Sequence, residues 1–431
     1  MTPTLAAQPL SAEQDAVFNR IERSSDHLFV TGRAGTGKST ILNHLTSHTS
    51  KNVAICAPTG VAALNVQGQT VHSLLRLPIG VIADQPLSVG HQARQLLASI
   101  DTLVIDEISM VSADLMDAID RVLRIARRNR STAFGGVQIV MFGDPFQLPP
   151  VPPRDPQERA YFDATYRSLW FFDAKVWQTT QLDAVELVTV HRQSDSRFKQ
   201  LLGAVRHGTI TDAELQELNA AGAKAPHAGA LTLATTNAKV AQINAARLAE
   251  IAGPAYTSRA QISGSFSKGA YPAEELLQLK VGAQVMFVRN DPDGRWVNGT
   301  IGTVSRLTGG VHVRVAGDPR EHLVYPAKWD RYAYSYDAAS GSLEKNIAAS
   351  FTQIPLRLAW AVTVHKSQGH TYDEATVDIG VRAFSAGQTY VALSRLRSLD
   401  GLRLSRPLEL ADIIVDPDVV RFMGGSAAIA A

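Results

Sequence analysis

The sequence reads as an α/β protein of two domains, with a small excursion inside the first and an all-β insertion inside the second. Three observations predict this. At 431 residues the chain exceeds what one hydrophobic core usually organises. From residue 10 to about 180, short apolar runs alternate with stretches of helical periodicity. From about 256 to 352 that alternation gives way to glycines and brief strand-like runs.

In the first domain, 28–30, 53–55, 103–105 and 139–142 are short apolar runs suited to buried parallel strands. Between the last two, Leu115, Ile119, Val122 and Ala126 recur at helical spacing and give one apolar face. Strands separated by such helices predict helices packed over a parallel sheet. Pro78, Gly80, Pro86 and Gly90 interrupt the pattern and mark residues 76–98 as a small excursion. The first α/β domain is therefore 1–75 plus 99–180. A second α/β pattern, 181–255 plus 353–431, has strand candidates at 187–190, 231–234 and 375–379. Its insertion, 256–352, holds the strand-like runs 283–288, 301–304 and 311–315. The tail at 424–427 is expected to fray.

Charge and cysteine usage remove several function classes. The formal net charge is +2, so any surface for a polyanion has to be local. A single cysteine, Cys56, excludes structural disulfides and cysteine-rich zinc or iron–sulfur sites; in the run 53–57 it reads as a small core residue. The first residues, Met1-Thr2-Pro3-Thr4-Leu5, lack a basic stretch followed by an apolar one, and no apolar run is long enough to span a bilayer. An intracellular protein, cytoplasmic or nucleoid-associated, is expected.

The loop Gly32-Arg33-Ala34-Gly35-Thr36-Gly37-Lys38-Ser39 follows a strand candidate and precedes a helix candidate beginning near Thr40. Glycines at this spacing let backbone N–H groups face phosphate oxygens, and the helix adds its positive end. Lys38 suits the β- and γ-phosphates of ATP, and the Ser39 hydroxyl suits Mg²⁺. A second strand ends in Asp106-Glu107, a carboxylate to hold the metal through water and one to polarise the attacking water. A third strand leads into Gly143-Asp144-Pro145-Phe146-Gln147, where Gln147 could sense the γ-phosphate. Ligands bind outside the carboxyl ends of such strands, and all three motifs converge there.

With 57–64 (Ala-Pro-Thr-Gly-Val-Ala-Ala-Leu), 69–73 (Gln-Thr-Val-His-Ser), His191-Arg192-Gln193, 363–371 (Thr-Val-His-Lys-Ser-Gln-Gly-His-Thr) and 388–395 (Gln-Thr-Tyr-Val-Ala-Leu-Ser-Arg), these motifs resemble the ordered set of superfamily 1 helicases. The resemblance covers nearly the whole chain. It is nearest to the Pif-type helicases of the 5′→3′ branch, superfamily 1B, cousins of RecD and Dda. The segment 133–140 (Ala-Phe-Gly-Gly-Val-Gln-Ile-Val) resembles that family's distinguishing stretch, and Asn298-Gly299-Thr300 the start of its SH3-like insertion. Pro145 departs from the aromatic common at its position, with Phe146 keeping one beside it.

The resemblance implies two RecA-like P-loop domains, with ATP in the cleft between them. It implies that Gln14 reads adenine, although taken alone it reads better as an exposed helix-start glutamine. Arg192 and Arg395 match the arginines offered to the γ-phosphate, a device worth roughly 10³–10⁵ in rate. Gln368 and Gly369 match positions lining the same site. Thr59, Gly60 and His72, with Thr236, Asn237, His365 and Ser367, match positions that contact single-stranded DNA. For His72 and His365 a satisfied, partly buried histidine is the alternative. The implied function is an ATP-dependent 5′→3′ DNA helicase of replication, repair or recombination, acting on single-stranded and tailed or forked duplex DNA. G-quadruplex or RNA–DNA hybrid substrates stay open. The expected form is a monomer with no membrane association. A DNA-dependent ATPase that translocates or remodels with little unwinding is the alternative. A non-enzymatic nucleotide-gated scaffold is disfavoured because every catalytic position is filled. Arg121, Arg124, Arg127, Arg128 and Arg130 form a basic run that reads either as a solvated helix face or as a duplex contact.

Overall fold

The computed structural model describes residues 9–78, 80–82, 86–153, 155–227, 229–266, 268–315, 317–337, 340, 342–425 and 429–430. The sequence readings at Met1–Leu5 and at Ser426 and Ala427 lie outside them. The described residues form two compact units, one running through His191 and including Asp330–Ala349 and Asp416 onward, the other comprising Arg192–Trp329 and Ser350–Val415.

The first unit is built on a parallel sheet, ordered Ile429–Ala430, Asp183–Leu187, Leu28–Gly32, Gln138–Phe142, Thr102–Ile105, Val53–Ala57, Gln69–Thr70. Strands 28–32, 102–105 and 138–142 are buried along their whole length. That is why they read as continuous apolar runs rather than alternating ones. Helix Ala113–Ala126 buries Leu115, Ile119, Val122 and Ala126, the face expected from their spacing. Val17, Ile21, Ile41, Leu42 and Leu45 close the core on the P-loop side.

Two sequence expectations are corrected here. The strand expected at 187–190 in the second domain lies at Asp183–Leu187 and pairs with Leu28–Gly32, so the first unit extends to His191. An ion pair between Arg20 and Asp183 reinforces that placement. Within the 76–98 excursion, Ile79 and 83–85 lie outside the described residues, and His91–Ser99 is a helix with Leu96 and Leu97 buried. Arg127 donates to Ala98 O and Ile100 O, tying the end of that helix to the main fold. The chain end also returns to the first unit: Trp170 Nε1 donates to Asp416 Oδ2 at 2.8 Å, and Phe422 stacks on Phe172 at 4.2 Å. Gly424 and Gly425, expected to fray, lie in helix Pro417–Gly425, and Ile429–Ala430 pairs with Val185 and Glu186.

The second unit holds a four-stranded parallel sheet, ordered Ala361–Thr363, Leu231–Ala234, Ala375–Asp378, Leu402–Leu404. Its insertion is all-β as expected. Five antiparallel strands run in the order Glu321–Val324, Val311–Val315, Ile301–Arg306, Gln284–Phe287, Leu356–Leu358. Val285, Phe287, Trp296, Val304, Val313 and Leu356 fill its core. In the long hairpin Ala327–Asp337 with Ser342–Gln353, residues Asp330–Ala349 belong to the first unit, within which the Tyr334 hydroxyl accepts the Ile55 N–H at 3.2 Å. Among the described residues, no helix is long and apolar enough to cross a membrane.

Candidate nucleotide and DNA sites

In the first unit the phosphate loop leaves the carboxyl end of strand 28–32, and helix Lys38–His48 begins at its last residues. Gly37 caps that helix with φ +83°, a conformation open to glycine and strained for other residues. Lys38 Nζ donates to Gly32 O at 2.6 Å and Arg33 O at 3.1 Å, and Thr36 Oγ1 donates to Arg33 O. Gly35 O accepts the His191 N–H at 2.9 Å, so the segment after strand 183–187 braces the loop. Ala34 is buried, Thr40 is half-buried and donates its N–H to Gly37 O, and Ser39 is exposed at the helix start.

Strands 138–142 and 102–105 are the next two in the sheet. The first leads into Asp144 and Gln147, both buried, in a turn closed by the Gln147 N–H on Asp144 O. The second leads into Asp106 and Glu107. The sheet order therefore sets the loop, Gln147 and the acidic pair at neighbouring strand ends, as expected. Burial pushes the Asp106 carboxyl well above its ordinary range, and the charge of Glu107 pushes the same way; Lys38 opposes them. A divalent cation at this position would supply the missing positive charge. Glu107 sits at φ +50°, a left-handed conformation that is strained for a residue with a side chain. Cys56 is buried, with its thiol on Val104 O, and its pKa is raised by burial: a core residue, as its sequence context indicated.

Gln14 is buried at the start of its helix, beside the phosphate loop. With Ser11 it forms a capping box on helix Ala12–Arg23, Oε1 accepting the Ser11 N–H at 3.0 Å. Its Nε2 lies against Gly37, in the space a side chain there would need. Phe146 is buried, its N–H bonded to Asp144 Oδ1, so it offers no outward-facing ring to a base. The turn that presents Gln147 draws Phe146 inward.

The candidate strand-contacting residues of this unit lie at the starts of two short helices. Thr59 Oγ1 accepts the Ala62 N–H at the head of helix Gly60–Asn65, and His72 is half-buried in helix Val71–Leu75. The His72 pKa is lowered by burial, with Asp114 opposing, so the imidazole is held towards its neutral form. The basic run does not occupy one helix face. The helix ends at Ala126, Arg124 is paired with Asp120, and Arg127 holds backbone carbonyls; Arg128 and Arg130 are exposed beyond the helix end.

In the second unit Thr236 and Asn237 follow strand 231–234, and His365 and Ser367 follow the adjacent strand 361–363. Thr236 caps helix Asn237–Glu250, and Thr236, Asn237 and His365 are exposed. Ser367 is fully buried, with its hydroxyl on Val364 O at 2.7 Å. This corrects the expectation that its side chain meets DNA, because the hydroxyl is spent on closing its own turn. Gly369, at the end of that turn, is exposed. Gln368 Nε2 is buried and makes no hydrogen bond among the described residues, as suits an amide that awaits a polar ligand.

Arg192 donates to Ser394 O at 3.3 Å, and burial lowers its pKa. Arg395 is buried rather than presented outward, donating to Val391 O, Ser367 O and Ser394 Oγ. Gln193, quoted in the motif but given no role from sequence, donates from Nε2 to both Ser394 O and Leu396 O. It fixes the arginine-bearing segments together. Its neighbour Arg192 drew the attention because charge is the more legible signal.

The family model described as PIF1-like helicase matches residues 9–216, and that of the DNA helicase Pif1 2B domain matches residues 268–307. A crystal structure of Bacteroides sp Pif1 in complex with ADP-AlF4 is 35% identical, covers 97% of each chain and superposes with a TM-score of 0.89. The chain belongs to the PIF1-like helicase family. Its fold of two RecA-like domains with an all-β insertion is the family's. Bacteroides Pif1 bound to ssDNA has a TM-score of 0.69 at 35% identity, again covering 97% of each chain. The human ATP-dependent DNA helicase PIF1 is 36% identical over 444 residues, which take in 96% of this chain and 63% of that protein's length.

Proposed function

We propose that this chain is an ATP-dependent DNA helicase that translocates 5′→3′ on single-stranded DNA and unwinds tailed or forked duplexes in replication, repair or recombination. The observation that carries the reading is the placement of Lys38, Gln147 and the Asp106–Glu107 pair at the ends of three adjacent strands. The fit of ATP·Mg²⁺ rests on the buried, unpaired amide of Gln368 and the raised pKa of Asp106.

When bound, ATP·Mg²⁺ supplies the phosphoanhydride whose cleavage drives stepping. Lys38 and the N–H groups of 35–39 hold the phosphates, Ser39 and Asp106 the metal, and Gln14 the adenine. Glu107 would polarise the attacking water, and Gln147 would sense the γ-phosphate from the neighbouring strand end. Arg192 and Arg395 neutralise charge developing on the γ-phosphate; for Arg395 this requires release of its present carbonyl partners. Thr59, Gly60, His72, Thr236, Asn237 and His365 contact the strand through hydroxyls, amides and backbone N–H groups, which bind phosphate without reading sequence. The relatives' complexes with ssDNA and with forked dsDNA support a DNA partner.

The test is strand separation on 5′-tailed and 3′-tailed duplexes, with Lys38→Ala alongside. Unwinding confined to the 5′-tailed substrate and lost in the variant is expected. Unwinding of the 3′-tailed duplex refutes the polarity, and ATP-driven unwinding by the Lys38 variant refutes the proposal. Phosphate release stimulated by DNA without strand displacement would identify a translocase.

A further inference from the structure

His370 and Tyr372 lie between the β insertion and the arginine-bearing segment, and nothing in the catalytic assignment uses them. From the insertion, Gly299 adopts φ +93° and is anchored by its N–H on Phe287 O at 2.8 Å. A methyl group added to Gly299 would stand 3.4 Å from Cγ of His370, so the turn packs directly against that ring. Met286 Sδ, from the same strand as Phe287, lies 4.0 Å from the Tyr372 hydroxyl. His370 Nδ1 and the Tyr372 hydroxyl share a hydrogen bond at 3.3 Å.

On the other side, Tyr372 binds the segment that carries Arg395 directly, and His370 meets it through a shared carbonyl. The Tyr372 N–H donates to Arg395 O at 2.8 Å, and Tyr372 O accepts the Arg397 N–H at 3.2 Å. Ser367 O accepts both the His370 N–H at 3.0 Å and Arg395 Nη1 at 3.4 Å. Tyr372 is buried. Burial and the charges of Arg357, Arg395 and Arg192 push the His370 pKa down to about 4, so the ring is neutral near neutral pH and adds no repulsion to these arginines.

We propose that His370 and Tyr372 are positioning residues that clamp the Arg395 segment to the β insertion, so that the packing of the insertion sets the rate of ATP turnover. The side chains of His370 and Tyr372 meet the insertion, and their backbone groups reach the arginine segment directly and through the Ser367 carbonyl. A small displacement of a catalytic group costs rate far more than binding, with a shift of ~1 Å worth up to about 10²-fold.

The proposal rests on the reading of Arg395 as a γ-phosphate ligand, and the experiment separates the two. Steady-state ATP hydrolysis by the full chain is measured with saturating dT20 for Tyr372→Phe, His370→Leu, His370→Asn and Arg395→Ala, with melting temperatures in parallel. Tyr372→Phe keeps the ring and loses only the hydroxyl; His370→Asn keeps a polar group near the position of Nδ1. The expected result is a fall of about tenfold in kcat for Tyr372→Phe and His370→Leu, with KM for ATP and dT20 affinity within about twofold of the parent. His370→Asn is expected to recover most of the rate. A merely structural role would instead lower the melting temperature and move kcat no more than the folded fraction. Unchanged kcat in both Tyr372→Phe and His370→Leu, beside a strong loss in Arg395→Ala, overturns the clamp. Unchanged kcat in Arg395→Ala overturns the underlying assignment of that arginine.

Discussion

Nε2 of Gln14 occupies the space in which a side chain on Gly37 would have to stand. The first helix of the chain and the phosphate loop are thereby locked to each other. The glutamine keeps its Oε1 on the Ser11 N–H, and so its amide is oriented before any nucleotide arrives.

Gly37→Ala is expected to weaken nucleotide binding, since the methyl displaces the Gln14 amide and the φ of +83° strains an alanine. Gln14→Ala makes room but loses the adenine contact and the capping box. It should raise KM for ATP by about tenfold, as one lost hydrogen bond of ~1.4 kcal/mol would. Fluorescent-nucleotide titration of both variants checks the pair. A Gln14→Ala protein that binds ATP and GTP as the parent does would remove Gln14 from the base site.

The raised pKa of Asp106 has a consequence for stability. A carboxyl whose folded pKa lies above its unfolded value destabilises the fold once pH climbs past the unfolded value, and the penalty is complete above the folded one. Asp106→Asn should therefore raise the melting temperature of the metal-free protein near pH 8 and abolish ATP hydrolysis. The gain should shrink as pH falls through the folded value and be mostly lost towards pH 4, where the folded carboxyl is protonated and the unfolded one is about half ionised. Thermal denaturation in EDTA across that range measures it; a variant less stable than the parent at pH 8 would contradict the assignment of strain to this site.

Ser367 and Thr236 should respond oppositely to truncation. Ser367→Ala removes a buried bond to Val364 O and is expected to cost about 1 kcal/mol of stability with little change in single-strand affinity. Thr236→Ala, on an exposed cap, should weaken dT20 binding and also lose a cap worth roughly 1 kcal/mol. Affinity by fluorescence anisotropy, read beside urea denaturation, distinguishes the two behaviours.

Phe422→Ala should destabilise the first unit by roughly 2 kcal/mol, because it removes the ring stacked on Phe172 and edge contacts to Phe171. Loss of near-ultraviolet aromatic signal at a lower denaturant midpoint would register it. An unchanged midpoint would mean that the C-terminal helix contributes no packing to that unit.

The arginine run shows where sequence pattern misleads. Five arginines within ten positions suggest one charged face, yet the helix ends at Ala126 and the run turns a corner at Arg128, φ +54°. Arg124 is consumed by Asp120 one turn back on the same helix, and Arg127 by carbonyls of 98 and 100 that no spacing along the run marks.

By itself the sequence determined the α/β class, the buried strands, the all-β insertion and the phosphate loop with its acidic strand end. These are local: an apolar run, a glycine spacing or two carboxylates after a strand carry their physics within a few residues. Tertiary structure decided which strands pair, and so placed Asp183–Leu187 beside Leu28–Gly32 and returned the chain end to the first unit. It also decided which side chains are spent internally, as with Ser367, Phe146 and Arg395, and which lie free to meet a ligand. Pairing and burial depend on residues far apart in the chain, and no spacing along one segment encodes them.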